Sequence, residues 1–319
     1  MSRRAAYVAR RLLLTLPVLA VMSVVVFGVM HLVPGDPAQA QLGLRSTPET
    51  LAQVRSDLNL DDPLPAQYLA WVGGVVLRGD LGSDYASGVP VTEELGVALP
   101  VTLQLAVAAI LLAGTVGVGI GVIAAARGGW RRRGASGFVV FGTAIPEFWM
   151  GLILILVFSA WFAVLPPSGY VALWEDPVEN VRHFALPVLC LSLFQAAYFA
   201  RTARTAMEDA LSAPSVAFLR AKGLPERQVV WRHGLRNAAA PIVTIVGMQF
   251  GAILGGTIII ETLFDLPGVG KLLFDAIAQR SYTVVQGCVV LIAGLFVLVN
   301  LVTDLLLGWL DPRIGDGVA

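Results

Sequence analysis

The feature that most constrains this 319-residue chain is a series of apolar runs longer than any water-soluble core requires. Residues 12–30, 95–126, 184–200, 238–260 and 281–303 carry no charged side chain, and residues 134–174 carry only Glu147. A helix needs about 20 apolar residues to cross the hydrocarbon core of a bilayer. Within lipid, only helices and closed barrels satisfy the backbone polar groups internally. The runs therefore predict an all-α integral membrane protein with six transmembrane helices, the third ending before Leu165-Pro166-Pro167. Charged residues make up 14% of the chain, against roughly a quarter in soluble domains. The zero net charge is uninformative, and the distribution of charge is what matters.

Basic residues set the orientation. With six spans both termini share a side, and that side receives 16 of the 22 Lys and Arg residues. They cluster at Arg3–Arg11, Arg127–Arg133 and Arg201–Arg236, with Arg313 in the tail. The other side receives Arg45, Arg55, Arg78, Arg182, Lys271 and Arg280. The expectation is a multi-pass protein of the plasma or inner membrane with cytoplasmic termini. The start of the chain imitates a cleaved signal peptide, with Ala38-Gln39-Ala40 as the small-residue site. However, the apolar run of 19 residues exceeds the usual 7–15 of such a signal, and Pro34 and Pro37 crowd the site. A retained first helix is the better reading.

Cys190 and Cys288 lie within apolar runs as small hydrophobes, so no disulfide framework is indicated. His31, His183 and His233 have no second ligand at helical or hairpin spacing, so no metal site is expected. Gly268-Val269-Gly270-Lys271 is not a phosphate-binding loop, because Leu272 stands where Ser or Thr is needed. No Ser/His/Asp, Cys/His or paired-carboxylate set occurs at one membrane level, so the chain is not expected to be an enzyme.

Two hydrophilic segments remain. Residues 32–94 are proline-rich and acidic and fall outside. Residues 201–237 are basic and fall inside, where 215–237 read as two short helices meeting at a corner. Gly223 suits the left-handed position after a helix end. Pro225 suits the first turn of the next helix, and Glu226 faces that helix's positive end. Phe218 and Leu219 stand at the tip beside Arg220 and Lys222. An apolar tip with a basic rim is a docking element or an ordinary positive-inside loop, and physics alone leaves both open.

Within the spans, Glu147 follows Pro146 at depth, where a charge is costly and marks a candidate pathway residue or a polar contact to a neighbouring helix. Gly117 and Gly121, and likewise Gly247, Gly251 and Gly255, are spaced by four and share helical faces. They permit close helix packing, and the second set is also a candidate pathway lining. Asp304 reads as a partner of interfacial arginines.

Several stretches resemble one family. Arg220-Ala221-Lys222-Gly223-Leu224-Pro225, followed by His233-Gly234-Leu235-Arg236-Asn237 and Pro241, is similar to the EAA loop of ABC-importer permeases. One departure is Ser215-Val216-Ala217-Phe218-Leu219, where a Tyr-Val-Arg-Thr-Ala stretch is usual. Pro34-Gly35-Asp36-Pro37 resembles the signature after the first helix. Leu58–Tyr68, Arg78–Gly82, Leu99–Leu103, Leu165–Tyr170, Glu261–Gly270 (with Pro267, Gly268 and Gly270) and Asp311-Pro312-Arg313 resemble further segments in order. The resemblance is to dipeptide/oligopeptide/nickel ABC transporter permeases and spans nearly the whole chain. It implies a type I importer permease fold with an extracytoplasmic insertion after helix 1. Residues 1–97 would hold the first helix and the insertion, 98–308 the remaining spans, and 309–319 a cytoplasmic tail. It also implies a second homologous permease subunit, an extracytoplasmic substrate-binding protein and two cytoplasmic ATPase subunits. ATP and Mg would be held by those ATPases, docked on residues 215–237, with no cofactor on this chain and no nucleic-acid partner. Rival classes are a permease of the same family for nickel or another small solute, a stand-alone secondary transporter and an intramembrane enzyme. A secondary transporter would show inverted repeats with paired broken helices; only Pro146 interrupts a span here.

Overall fold

A computed structural model describes residues 3–32, 38–39, 47–57, 59–84 and 87–310. The Pro34-Gly35-Asp36-Pro37 signature and the 311–319 tail lie outside the described residues. In chain order the helices are α1 (Arg3–Leu32), α2 (Pro48–Asp57), α3 (Leu64–Gly73), α4 (Val91–Ala126), α5 (Trp130–Ala144), α6 (Glu147–Leu154), α7 (Pro177–Ser212) and α8 (Pro214–Ala221). After a corner come α9 (Glu226–Gln228), α10 (Ala239–Phe264), α11 (Val269–Gln279) and α12 (Tyr282–Leu310). Wider π turns extend α3 over Gly74–Arg78, α6 over Ile155–Trp161 and α9 over Val229–Gly234. The described residues form no strand beyond an isolated bridge between Ser83 and Pro90.

Four helices, α4, α7, α10 and α12, are long and apolar enough to cross a membrane. In α1, Leu13–Gly28 forms a shorter apolar stretch. The third expected span is not one straight helix. It divides into α5 and α6, inclined by 99° at Ile145-Pro146. Proline drives the preceding residue out of the helical region, and Ile145 is extended (φ −96, ψ 125). Pro146 then starts α6 with no N–H to give back to α5.

Helix ends follow local chemistry. The Asp176 carboxylate accepts from the N–H groups of Val178 (2.9 Å) and Glu179 (3.1 Å), with Pro177 in the first turn. Glu93 and Glu94 open α4, favoured there by the helix dipole. α4 begins at Val91, so it runs across residue 97, the boundary expected from the sequence.

The core forms where small residues let backbones meet. A Cβ on Gly121 of α4 would lie 2.6 Å from the Ala200 carbonyl of α7, and one on Gly117 would collide with the Ala196 backbone. Leu105, Leu186, Leu191, Phe199, Ile253, Leu254, Ile260 and Phe264 close the core between α4, α7 and α10. α12 lies against α10 and α1. The segment after α1 docks through α3, where Tyr68 meets Phe27 edge-on (5.5 Å) and shares a 2.8 Å hydrogen bond with Ser23. Near the start of α12, the Ser281 hydroxyl donates to the buried Asp84 carboxylate at 2.8 Å.

Candidate functional site

Three constructions stand apart from ordinary packing: a corner at the basic end, an elbow within the spans, and a buried carboxylate at the opposite end.

The corner is built by α8 and α9. Gly223 has φ +79. Its N–H donates to the Arg220 carbonyl (2.9 Å), and the Leu224 N–H donates to the Leu219 carbonyl (3.3 Å). This pair of bonds closes a helix through a left-handed residue, which glycine adopts without steric cost. Arg220 reaches across the corner and holds Glu226 with two bonds, Nε–Oε2 3.1 Å and Nη2–Oε1 2.7 Å. The hydrogen bond from Arg220 holds the Glu226 carboxyl below the ordinary carboxylate range. Val216, Val229 and Val230 are buried, and Gly234 leaves room for Met207 and Leu211 of α7. Phe218, by contrast, is 60% exposed at the tip, with the Lys222 ammonium 4.5 Å over its ring. Leu219 and Leu224 are half-buried; Ala221 and Pro225 are exposed. A rigid corner therefore presents an aromatic knob to solvent. Nearby, Arg132 pairs with Glu208 (3.4 Å), and Arg204 donates to Ser136 (2.9 Å), tying the start of α5 to α7.

At the elbow, Glu147 is half-buried, and its backbone carbonyl accepts from the Cys190 thiol (3.1 Å). Its carboxylate makes no hydrogen bond among the described residues. A Cβ on Gly256 of α10 would stand 3.5 Å from Oε2. The glycine set on α10 divides. Gly247 is pressed on the Thr303 side chain and Gly251 on Phe296, both of α12. A Cβ on Gly255 would meet nothing within 4 Å. The side of α10 that the chain leaves open carries Met248, Ala252, Gly255 and Ile259, a stripe at helical spacing.

At the opposite end, Glu261 of α10 is completely buried. Its carboxylate accepts from the Thr102 hydroxyl of α4 (2.7 Å) and the Lys271 N–H of α11 (3.0 Å). Thr102 in turn accepts from the Val269 N–H at 2.8 Å. The carboxylate thus caps the start of α11, where free N–H groups and the helix dipole favour negative charge. Gly268 and Gly270 are required by this approach rather than by positive φ. A Cβ on Gly268 would overlap the Glu261 carboxyl, and one on Gly270 would lie 2.6 Å from the Ile258 Cα. The sequence marked Gly268, Gly270 and Pro267 as a turn motif but missed Thr102 and the buried role of Glu261. The available signal was a lone acid ending an apolar run just before a Pro-Gly-x-Gly turn. A cleft of about 480 Å³ opens beside this cap, lined by residues including Glu93, Glu94, Pro267, Gly268, Lys271 and Asp275. The Asp265 carboxylate bonds the Lys271 ammonium at 2.7 Å and holds its pKa above the ordinary value. Among the described residues, no group of three or more His, Cys, Asp or Glu residues is placed to hold a metal ion.

The chain is similar to known proteins over most of its length. Residues 117–316 match the model described as "Binding-protein-dependent transport system inner membrane component", and residues 4–106 match its N-terminal companion. The chain is 38% identical over 309 residues to the probable peptide ABC transporter permease protein y4tP of Sinorhizobium fredii, covering 97% of this chain and 98% of that protein. It is 37% identical to the dipeptide transport system permease protein DppB of Escherichia coli K12, with the same coverage. It is 38% identical to the glutathione transport system permease protein GsiC of Pectobacterium atrosepticum, again over 97% and 98%. Among solved structures, a chain of the MetNI methionine ABC transporter superposes with TM-score 0.55 at 18% identity, covering 69% of this chain and 97% of that one.

Proposed function

Since the chain belongs to the family of binding-protein-dependent transport system inner membrane components, and is a permease subunit of an ABC importer working within a transporter complex, we propose that its solute is a di- or oligopeptide. The peptide arrives from an extracytoplasmic binding protein. It crosses between this subunit and a second, homologous permease. Two cytoplasmic ATPase subunits drive the cycle, dock on the corner at residues 215–237 and hold the ATP and Mg.

The observation that carries the coupling role is the corner itself. It is fixed by a left-handed glycine and a two-bond ion pair, yet it exposes the Phe218 ring. An aromatic ring on a preorganised protrusion fits a pocket in a partner at low entropic cost. The basic-residue distribution supports a cytoplasmic location for this end, where ATP is available. The named relatives support a peptide as solute.

The test is uptake into proteoliposomes holding both permeases and both ATPases, with binding protein outside and ATP inside. Accumulation of a labelled di- or tripeptide is expected. Accumulation of nickel or another small solute instead, with no peptide taken up, would replace the peptide reading by the same-family alternative.

A further inference from the structure

Glu147 opens the first turn of α6, and the Gln195–Gln249 pair ties α7 to α10, but neither role uses all their polar atoms. A carboxylate within a span is costly unless it faces a partner or water, and the Glu147 carboxylate has no donor or cation among the described residues within bonding distance. Lipid is excluded by the same cost. What lies in front of it is the open side of α10: Gly255 has free space around it, and Gly256 stands beside the carboxylate. Seven residues earlier on the same face of α10, the Gln249 amide donates to the Gln195 Oε1 of α7 at 2.7 Å. Gln249 is itself half-buried and uses its own carbonyl in no hydrogen bond.

We propose that Glu147 is the solute-facing anion of this permease, receiving the protonated α-amine of a peptide in transit, with the Gln249 carbonyl accepting a peptide N–H two turns earlier on α10. This rests on the reading of the solute as a peptide. An ionised carboxylate only accepts hydrogen bonds, so its partner must be a donor, and a cationic one gains most in a water-poor setting. Seven helical residues separate Gly256, beside the carboxylate, from Gln249, about 10 Å along the axis of α10, roughly the span of three extended residues. The geometry therefore selects short peptides with a free amino terminus over solutes lacking a cationic head.

Two measurements on the assembled transporter, in a background with Cys190 and Cys288 replaced, test this. In the first, Gly255→Cys is treated with cationic and anionic methanethiosulfonate reagents. We expect reaction from water, faster with the cation, and a several-fold loss of that preference when Glu147→Gln is added. No reaction at this site, while Ser168→Cys reacts, would overturn the proposal, as would a preference unchanged by Glu147→Gln. In the second, uptake of a tripeptide is compared with that of its N-acetylated form. Glu147→Gln is expected to lower uptake of the free-amine peptide about tenfold or more, the scale of one hydrogen bond to a charged group. Glu147→Asp should restore part of it, and the N-acetylated peptide should be little changed. Equal loss for both peptides would make Glu147 a structural residue. Undiminished uptake of the free-amine peptide would also refute the proposal while leaving the peptide reading intact. If the unaltered transporter takes up neither peptide, the peptide reading fails and with it the amine assignment, whereas the reagent preference still decides whether Glu147 faces the route.

Discussion

Replacing Gly223 by valine perturbs the corner and little else. A Cβ at Gly223 meets no atom within 4 Å, so the cost is not a clash within the chain. It comes from the backbone: φ is +79, and an L-residue in a left-handed conformation pays about 1–2 kcal/mol, with β-branched residues the worst placed. The Arg220–Glu226 pair cannot offset this. Both side chains are about half exposed, and such surface pairs contribute at most about 1 kcal/mol. Its contribution is present above the ordinary Glu value of 4.5 and is lost as pH falls through the lowered folded value, so it is intact at neutral pH. A penalty of 1–2 kcal/mol reduces the population of the docked corner about 5–30-fold. Gly223→Val should leave the subunit in the membrane, because no span is altered, but weaken retention of the ATPases and abolish solute-stimulated ATP hydrolysis. Gly223→Asn should be milder, since asparagine tolerates this conformation. The assay is co-purification of the ATPases, followed by hydrolysis with binding protein and peptide in proteoliposomes. Normal retention and normal stimulation in Gly223→Val would refute the coupling role of residues 215–237.

Phe218→Ala should weaken ATPase retention without changing subunit abundance; unchanged retention would show that the exposed ring is not the docking knob. Glu261→Gln should lower the melting temperature of the detergent-purified complex, because the amide turns one acceptor toward the α11 N–H groups into a donor, a cost of about 1–3 kcal/mol. Gly268→Ala should cost much less in a Glu261→Ala background than alone, because the three atoms nearest its Cβ all belong to Glu261. Gly270→Ala should stay costly in both, because the Ile258 backbone remains in its way; additive effects at Gly268 would refute this packing. An impermeant thiol reagent applied from outside should label Ser168→Cys and spare Ser136→Cys and Ser212→Cys, and labelling at Ser212→Cys would invert the orientation.

Much of this was legible because it is local. Each uncharged run of sufficient length is a helix for reasons contained in the run itself. The Gly223 corner was readable because a helix end, a left-handed residue and a Pro-Glu start are all consecutive in sequence. The third span was half readable: Pro146 announced a break, but the 99° angle depends on where α6 finds α7 and α10. Glycine spacing on α10 identified a face without saying what occupies it. Thr303 and Phe296, which press on Gly247 and Gly251, lie on α12, far along the chain. Glu261 was the least readable residue. An acid ending an apolar run normally reaches the interface, and this one is buried only because α11 folds back and offers its N–H groups.

These places lie along one element. α10 has 26 residues and is about 39 Å long, and α9 joins it through three residues that form a single helical turn. At its far end, Glu261 ties it to α4 and α11 by bonds that cannot be given up one at a time, because a carboxylate left buried without donors costs several kcal/mol. Between the ends, Gly247 and Gly251 seat it against α12 without play. Under the coupling role proposed for residues 215–237, a displacement at the corner is carried along α10 rather than taken up by local flexing. On that proposal α10 moves as a rod, together with α11 and with Gly256 beside Glu147. Under the proposed roles of the corner and of Glu147, coupling is a matter of stiffness: the ordered hydrogen bonds at Glu261 and the tight glycine contacts would turn a small rotation at the basic end into a change of access in front of the carboxylate.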